Sequence, residues 1–236
     1  MSADDLKRAV GETAADLVQS DMIVGLGTGT TAAWLVRALA ERRLDIRCVA
    51  TSTVTATLAS ELGLLVVDID DIREIDLTID GADEIGPDLT LIKGGGAALL
   101  REKLVWEASR RCVCIADASK VVKTLGAFPL PIEVIPFGHT TTLRRIEAGL
   151  ADCGILVAPR LRQKDGQVVV TDSGNLIYDA HCGVILDPVS VEAALKSITD
   201  VVEHGLFLGL TKEALIGSDL GVERLGPRDF RDLPNG

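Results

Sequence analysis

Several places in this chain combine residue types that bind anions or move protons. The first is Gly25-Leu26-Gly27-Thr28-Gly29-Thr30-Thr31, between an apolar run and a helical pattern. Backbone N–H groups and the helix dipole draw an anion to such a junction. The loop does not fit the dinucleotide fingerprint, because Thr30 stands where G-x-G-x-x-G needs its last glycine. Nor does an acid close the next strand, where a ribose hydroxyl would be held; that strand ends in Ala50-Thr51-Ser52-Thr53. The hydroxyls of Thr28, Thr30 and Thr31 and the free N–H groups around Gly29 suit a terminal phosphate better. The plainer alternative is a tight strand-to-helix turn with a threonine cap.

The second place is Asp80-Gly81-Ala82-Asp83-Glu84, at the end of a strand-like run. Open α/β sheets bind ligands at the carboxyl ends of their strands. Asp80 and Asp83, separated by Gly81 and Ala82, could point into one cavity, accept sugar hydroxyls and shuttle protons. A solvated acidic turn explains them equally well, and the acids alone would also suit Mg²⁺. Against the metal, no further metal-type cluster follows, and Lys93 lies close by. The third place is Lys93-Gly94-Gly95-Gly96, just before a helix. Glycines let backbone approach a ligand closely, and the lysine could stabilise a developing oxyanion. A merely flexible loop is the alternative.

The fourth is Glu102. On a helical wheel for residues 97–111, Lys103, Glu107 and Arg110 form a polar stripe, and Glu102 falls outside it, between Ala98 and Val105 on one side and Trp106 on the other. A carboxylate on an apolar face has a raised pKa, as a general base near neutral pH requires. A rim glutamate paired with Arg101 or Lys103 is the competing reading. Last comes Asp117-Ala118-Ser119-Lys120, where Lys120 could clamp a phosphate or remain a surface lysine. Lys7, in the first helical pattern, is a weaker phosphate candidate. His139, His181 and His204 are scattered without metal-ligand spacing, and no nucleophile elbow or Walker loop occurs.

These residues need a scaffold. Helical patterns over 4–19, 28–43, 54–62 and 97–109 alternate with apolar runs at 22–26, 46–50, 64–69, 75–80 and 111–117. That order predicts a mostly parallel sheet covered on both faces. The texture changes after Phe128. Three prolines in 128–137 argue against a central strand throughout. Strand-like 155–159 and 167–172 flank a turn at Asp165-Gly166, and 175–180 and a helix near 190–198 follow. This predicts a small α+β unit over roughly 130–203, with 205–217 returning to the first sheet.

Composition limits the function. Hydrophobic residues make up 47% of the 236-residue chain and aromatics only 3%, so the core is aliphatic, as in buried parallel sheets. A net charge of -11 disfavours nucleic acid and anionic membranes as partners. The five cysteines form no pairing framework and suit a reducing cytoplasm. No signal peptide or membrane-spanning run is evident.

Together the motifs resemble ribose-5-phosphate isomerase of the A type. The likeness runs through GLGTGTTAAWLV (25–36), DLTIDGADEI (76–85), LIKGGGAALLREK (91–103), CIADASK (114–120), FPLPIEVIPF (128–137), TDSGNLIYD (171–179) and GLFLGLTKEALIG (205–217). The resemblance implies a Rossmann-like α/β domain over 1–128 and 205–236 and a ferredoxin-like lid over 129–204. It implies interconversion of ribose 5-phosphate and ribulose 5-phosphate by an enediol route, without metal, nucleotide or other cofactor. By motif, Glu102 would be the base between C1 and C2, and Asp80 and Asp83 would assist ring opening and handle hydroxyl protons. Lys93 and the glycines at 94–96 would steady the enediolate; the 28–31 loop, Gly81, Ala82, Lys120 and Lys7 would hold the sugar phosphate. Such enzymes are usually homodimers or dimers of dimers.

Two departures stand out. Thr30 replaces a common serine, which keeps the hydroxyl, and Asp172-Ser173-Gly174 replaces a common Asp-Asn-Gly turn in the lid. The residues after 217 match weakly. Rival readings are a sugar-phosphate sensor, an amino-sugar phosphate deaminase or a CoA transferase on the same scaffold.

Overall fold

The apolar runs of the first half become parallel strands, and their hydrophobic faces are covered on both sides. The computed structural model describes residues 2–226. Helix α1 (Ala3–Ala15) leads to β1 (Ile23–Leu26), α2 (Thr30–Arg42), β2 (Arg47–Ala50), α3 (Thr53–Glu61) and β3 (Leu65–Val66). Then come β4 (Leu77–Gly81), β5 (Glu84–Ile85), β6 (Leu91–Ile92), α4 (Leu99–Glu107) and β7 (Cys112–Asp117). The next stretch contains β8 (Leu130–Val134), α5 (His139–Asp152), β9 (Arg160–Leu161), β10 (Gln163–Lys164), β11 (Gln167–Val168), β12 (Leu176–Ala180), α6 (Pro188–Lys196) and β13 (Val201–His204). The last strands are β14 (Leu206–Phe207), β15 (Ala214–Ser218) and β16 (Gly221–Leu225). The tail beyond 226, part of the domain expected over 205–236, lies outside the described residues.

The main sheet has the order β16-β15-β7-β4-β1-β2-β3. Its strands pair in parallel except β16, which runs antiparallel along the edge. From β1 the chain moves outward to β2 and β3, then returns to the other side of β1 as β4. That reversal opens a crevice between the carboxyl ends of β1 and β4, where such sheets take their ligands. On one face, Val10 and Ala14 of α1 and Leu35 and Leu39 of α2 pack with Val24, Leu26, Ile79 and Ile115. On the other, Trp106 of α4 packs with Cys114, Ile216, Leu91 and Phe207. The last two belong to a small antiparallel sheet ordered β14-β6-β5.

A second unit is a four-stranded antiparallel sheet ordered β13-β8-β12-β9. With α5 and α6 it has the βαββαβ connectivity of ferredoxin-like units. Its strands all fall between Leu130 and His204. The Asp165-Gly166 turn joins β10 to β11 with both residues left-handed, at φ 53 and 77, as a two-residue hairpin turn requires.

The proline-rich stretch is a central strand only in part, as expected: β8 covers Leu130–Val134 and pairs with both β12 and β13. Pro131 is tolerated because the β13 ladder stops at Ile132↔His204. The Pro131 carbonyl accepts from Gly205 N at that end, so the missing N–H falls where no ladder partner remains. The strand expected at 155–159 instead lies at Arg160–Leu161, and that expected over 64–69 shrinks to Leu65–Val66 before a short 3-10 turn at Ile69–Asp71.

Candidate active site

The site begins where β1 ends. Gly29 is the N-cap of α2 with φ 117, and no side chain caps the helix. Its first-turn N–H groups are therefore open to an anion. Thr28 is differently engaged: its N–H donates to Asp80 Oδ1 at 3.0 Å, and its hydroxyl lies 2.7 Å from Thr51 Oγ1 and 2.8 Å from Ser52 Oγ. Gly27 permits this contact between β1 and β4, because a Cβ there would lie 1.9 Å from Asp80 Oδ1.

Asp80 is fully buried at the end of β4. Its Oδ1 also accepts the Gly81 N–H at 2.7 Å. Its Oδ2 sits 2.9 Å from Lys93 Nζ. Lys93 donates to Gly81 O at 2.5 Å and stands 3.3 Å from Glu102 Oε2. Neither Asp80 Oδ2 nor Glu102 Oε2 accepts a well-directed hydrogen bond, so the lysine meets both principally as a charge. The rings of Trp106 and Phe207 lie 5.4 and 5.3 Å from Nζ, at cation–π distance. The backbone of Lys93 is held as well: its N–H donates to Gly205 O, and a Cβ on Gly205 would come within 2.3 Å of the Lys93 carbonyl.

Burial by itself would lower the Lys93 pKa, but the Asp80 and Glu102 carboxylates outweigh it and hold the ammonium above its ordinary value. Burial pushes Glu102 up to about 8; Lys93 pulls it down and Asp80 pushes it further up. Burial likewise raises Asp80, against the pull of Lys93 and the N–H groups of Gly81 and Thr28. One lysine between two buried carboxylates thus favours retention of a proton, as in a dyad.

Lys93 and Glu102 border a cavity of about 230 Å³ that is also lined by Thr28, Gly29, Thr30, Thr31, Gly81, Ala82, Asp83, Gly94, Gly95, Gly96 and Lys120, and by Lys7 from α1. The structure therefore brings together nearly all the residues singled out in the sequence. Asp80 is the exception. It was expected to meet substrate hydroxyls, yet it does not line the cavity, because its carboxylate is sealed against Lys93 and the loop after β1. Asp83 does line it, and its Oδ2 accepts the Gly95 N–H at 2.8 Å. Lys103, which falls in the polar stripe, is buried, with its Nζ 2.7 Å from Glu203 Oε1 and 2.8 Å from Leu206 O. Arg101 pairs with Asp172 rather than Glu102.

Sequence reasoning gave Asp117 no role and missed Ala116; both, on β7, also line the cavity. Their position at the end of a strand, beside Lys120, was the available signal. The hydroxyl cluster of Thr51, Ser52 and Thr55 around Thr28 was missed too. Among the described residues no group of His, Cys, Asp and Glu is arranged to hold a metal ion. His139 contacts Tyr178 Oη at 2.7 Å, and burial lowers His204 to about 3, leaving it neutral.

Comparison with known proteins points one way. A family model for ribose 5-phosphate isomerase A (phosphoriboisomerase A) matches residues 47–221. Ribose-5-phosphate isomerase A of Caulobacter sp. (strain K31) is 64% identical over 227 residues, spanning 96% of this chain and 100% of that one. The crystal structure of ribose 5-phosphate isomerase A from Neisseria gonorrhoeae aligns with a TM-score of 0.88 at 34% identity, covering 96% of this chain and 98% of that one. A D-ribose-5-phosphate isomerase solved in complex with phospho-erythronic acid aligns with a TM-score of 0.89 at 33% identity, covering 96% of this chain and 100% of that one.

Proposed function

The chain belongs to the ribose 5-phosphate isomerase A family of enzymes, and from that premise we propose that it interconverts D-ribose 5-phosphate and D-ribulose 5-phosphate through an enediolate, with Glu102 as the base. The observation that carries this reading is the state of Glu102. Its side chain is 3% exposed, it borders the cavity, and its proton affinity is raised to about 8. A carboxylate in that state can take a proton from carbon and return it.

The substrate phosphate lies against the open N-terminus of α2, with Thr30 and Thr31, and is flanked by Lys7 and Lys120. This places the open-chain carbonyl end near Glu102. Glu102 removes the C2 proton, and the electron pair moves to form the C1–C2 double bond with negative charge on O1. Lys93 and the N–H groups of the 94–96 loop stabilise that charge. Glu102 then delivers the proton to C1, and the C2 hydroxyl proton passes to O1, forming the C1 hydroxyl as the C2 ketone forms. Asp83, on the cavity wall, handles hydroxyl protons during ring opening and this last step. Asp80 acts through Lys93, whose position and charge it fixes. Residues 129–204 serve as the lid. Phospho-erythronic acid, found in a structural neighbour, pairs a phosphate with a carboxylate, whose two oxygens stand in for the O1 and O2 of the proposed enediolate.

A sensor on this scaffold would need the phosphate grip but no base of raised pKa. On the family resemblance we place the enzyme in the cytoplasm as a homodimer or dimer of dimers. Exposed Phe137, Leu156 and Leu186 offer apolar surface for a second copy, and light scattering would measure the assembly. Among the described residues no helix is long and apolar enough to cross a membrane.

The direct test is ketose formation from ribose 5-phosphate by purified, EDTA-treated protein. Turnover unaffected by the chelator is expected. A well-folded sample without turnover would overturn the proposal.

A further inference from the structure

Arg162 lies between β9 and β10, distant in sequence from every group of the proposed chemistry, yet its guanidinium reaches the glycine loop. Its Nη1 donates to Gly94 O at 2.7 Å and to Gly95 O at 3.3 Å. Its Nε donates to Asp179 Oδ2 at 2.8 Å, and Nη2 donates to Asp179 Oδ1. The fork is well shielded, with the Arg162 side chain 13% and the Asp179 side chain 19% exposed. Asp179 sits on β12, and the Arg162 N–H donates to Ile177 O on the same strand. The guanidinium is therefore fixed by the second unit and presented to the first.

The glycine loop needs such a restraint. Gly94, Gly95 and Gly96 carry no side chains to limit their backbone, and Gly94 has φ 103. A trans peptide points its carbonyl and the following N–H in opposite directions. Holding Gly94 O toward Arg162 turns the Gly95 N–H the other way, where it meets Asp83 Oδ2 at 2.8 Å. Holding Gly95 O toward Arg162 turns the Gly96 N–H away in the same manner. Gly96 lines the cavity, and no protein acceptor among the described residues takes its N–H. Within the loop the Ala97 N–H donates to Gly94 O at 3.0 Å, closing a turn; Arg162 adds a clamp on the Gly94 and Gly95 carbonyls and Asp83 one on the Gly95 N–H, with the Gly96 N–H left for a ligand.

We propose that Arg162, locked by Asp179, is a positioning residue that sets the peptide planes of Gly94–Gly96 so that the Gly96 N–H stabilises the enediolate beside Lys93. This rests on the enediolate reading above. A guanidinium that only joined the two units would contribute to melting temperature and leave the balance of kcat and KM untouched. Arg162 acts on the intermediate rather than on ground-state binding, so its loss appears in kcat.

The test compares wild type with Arg162→Met, Arg162→Lys and Asp179→Asn. The readouts are kcat and KM for ribose 5-phosphate and the inhibition constant of phospho-erythronic acid. For Arg162→Met, kcat is expected to fall roughly 10- to 100-fold with KM within about threefold, since a misaligned oxyanion donor loses much of its effect. The inhibition constant should rise in parallel with the loss of kcat. Arg162→Lys, which keeps a donor but not the fork, should fall between. A folded Arg162→Met with kcat within about twofold of wild type, or with a raised KM and unchanged kcat, overturns the inference. Should Arg162→Met not fold, Asp179→Asn decides by the same criteria. Failure of wild type to isomerise ribose 5-phosphate would instead sink the parent reading; an active wild type, an inactive Glu102→Gln and an unaffected Arg162→Met would sink this inference alone.

Discussion

Glu102 and Lys103 are consecutive in α4, and both are buried against opposite charges on different sides of the helix. Glu102 Oε2 stands 3.3 Å from Lys93 Nζ, while Lys103 Nζ stands 2.7 Å from Glu203 Oε1. Successive side chains on an α-helix diverge by roughly 100°. Pinning Lys103 to Glu203 and to the carbonyls of His204 and Leu206 therefore sets the rotation at which Glu102 meets the cavity.

Replacing the base isolates its role. Glu102→Gln preserves shape and should leave KM little changed while kcat falls roughly 10²- to 10⁴-fold, the usual range for a lost general base. Steady-state kinetics on ribose 5-phosphate checks this, and near-wild-type kcat would remove Glu102 from the role.

The same variant has a stability signature. Glu102 has an ordinary pKa of 4.5 and is raised to about 8 in the folded protein. Between these values the folded state holds a proton that the unfolded state has released, so stability falls as pH rises through this window. The amide introduced by Glu102→Gln does not titrate. The melting temperature of Glu102→Gln relative to wild type should therefore increase between about pH 5 and about pH 9. Calorimetry at both ends would show it, and a constant difference would contradict it.

Activity should follow the ionised base. In wild type, kcat/KM should rise with pH through an acid limb near 8. Asp80 raises the Glu102 pKa through its charge, so Asp80→Asn should move that limb to lower pH. A pH–rate profile of both proteins measures the displacement, and a limb moved upward would refute the assigned sign.

Gly27 tests how tightly the phosphate loop is seated on Asp80. The Cβ of Gly27→Ala would lie 1.9 Å from Asp80 Oδ1, so backbone or carboxylate must shift. Overpacking of this kind costs about 1–3 kcal/mol. A lowered melting temperature with a marked loss of kcat is expected, and an unperturbed enzyme would show that the two loops are not in such close contact.

Lys103 offers a contrasting prediction about stability. Lys103→Met removes the donor shared by Glu203, His204 and Leu206. Glu203 keeps Lys196 Nζ at 2.5 Å and the His204 N–H, so the cost is that of lost charge-assisted hydrogen bonds, about 1.5–3 kcal/mol, rather than that of an isolated buried charge. Chemical denaturation should show a loss of that order, and a loss below about 1 kcal/mol would mean that solvent already reaches the pair.

The parallel sheet and most of the cavity lining are legible in the order of residues along the chain. Strand periodicity, the glycine-rich turns and the place of each motif after a strand are local properties, and a parallel sheet gathers such strand ends on one edge. Glu102 could be separated from its polar neighbours because helix geometry alone gives direction. Tertiary structure decided what no local pattern encodes. Lys103 sits in the polar stripe of the same helix, yet it is buried against Glu203, about a hundred residues away. Asp80 and Asp83 looked alike, and only the approach of Gly27 and Lys93 seals one while the other faces the cavity. Arg162 gave no signal, since its meaning depends on β12 bringing Asp179 beside the glycine loop. Charge pairing over such separations is settled by which surfaces the fold brings into contact, and that information lies in packing rather than in spacing along the chain.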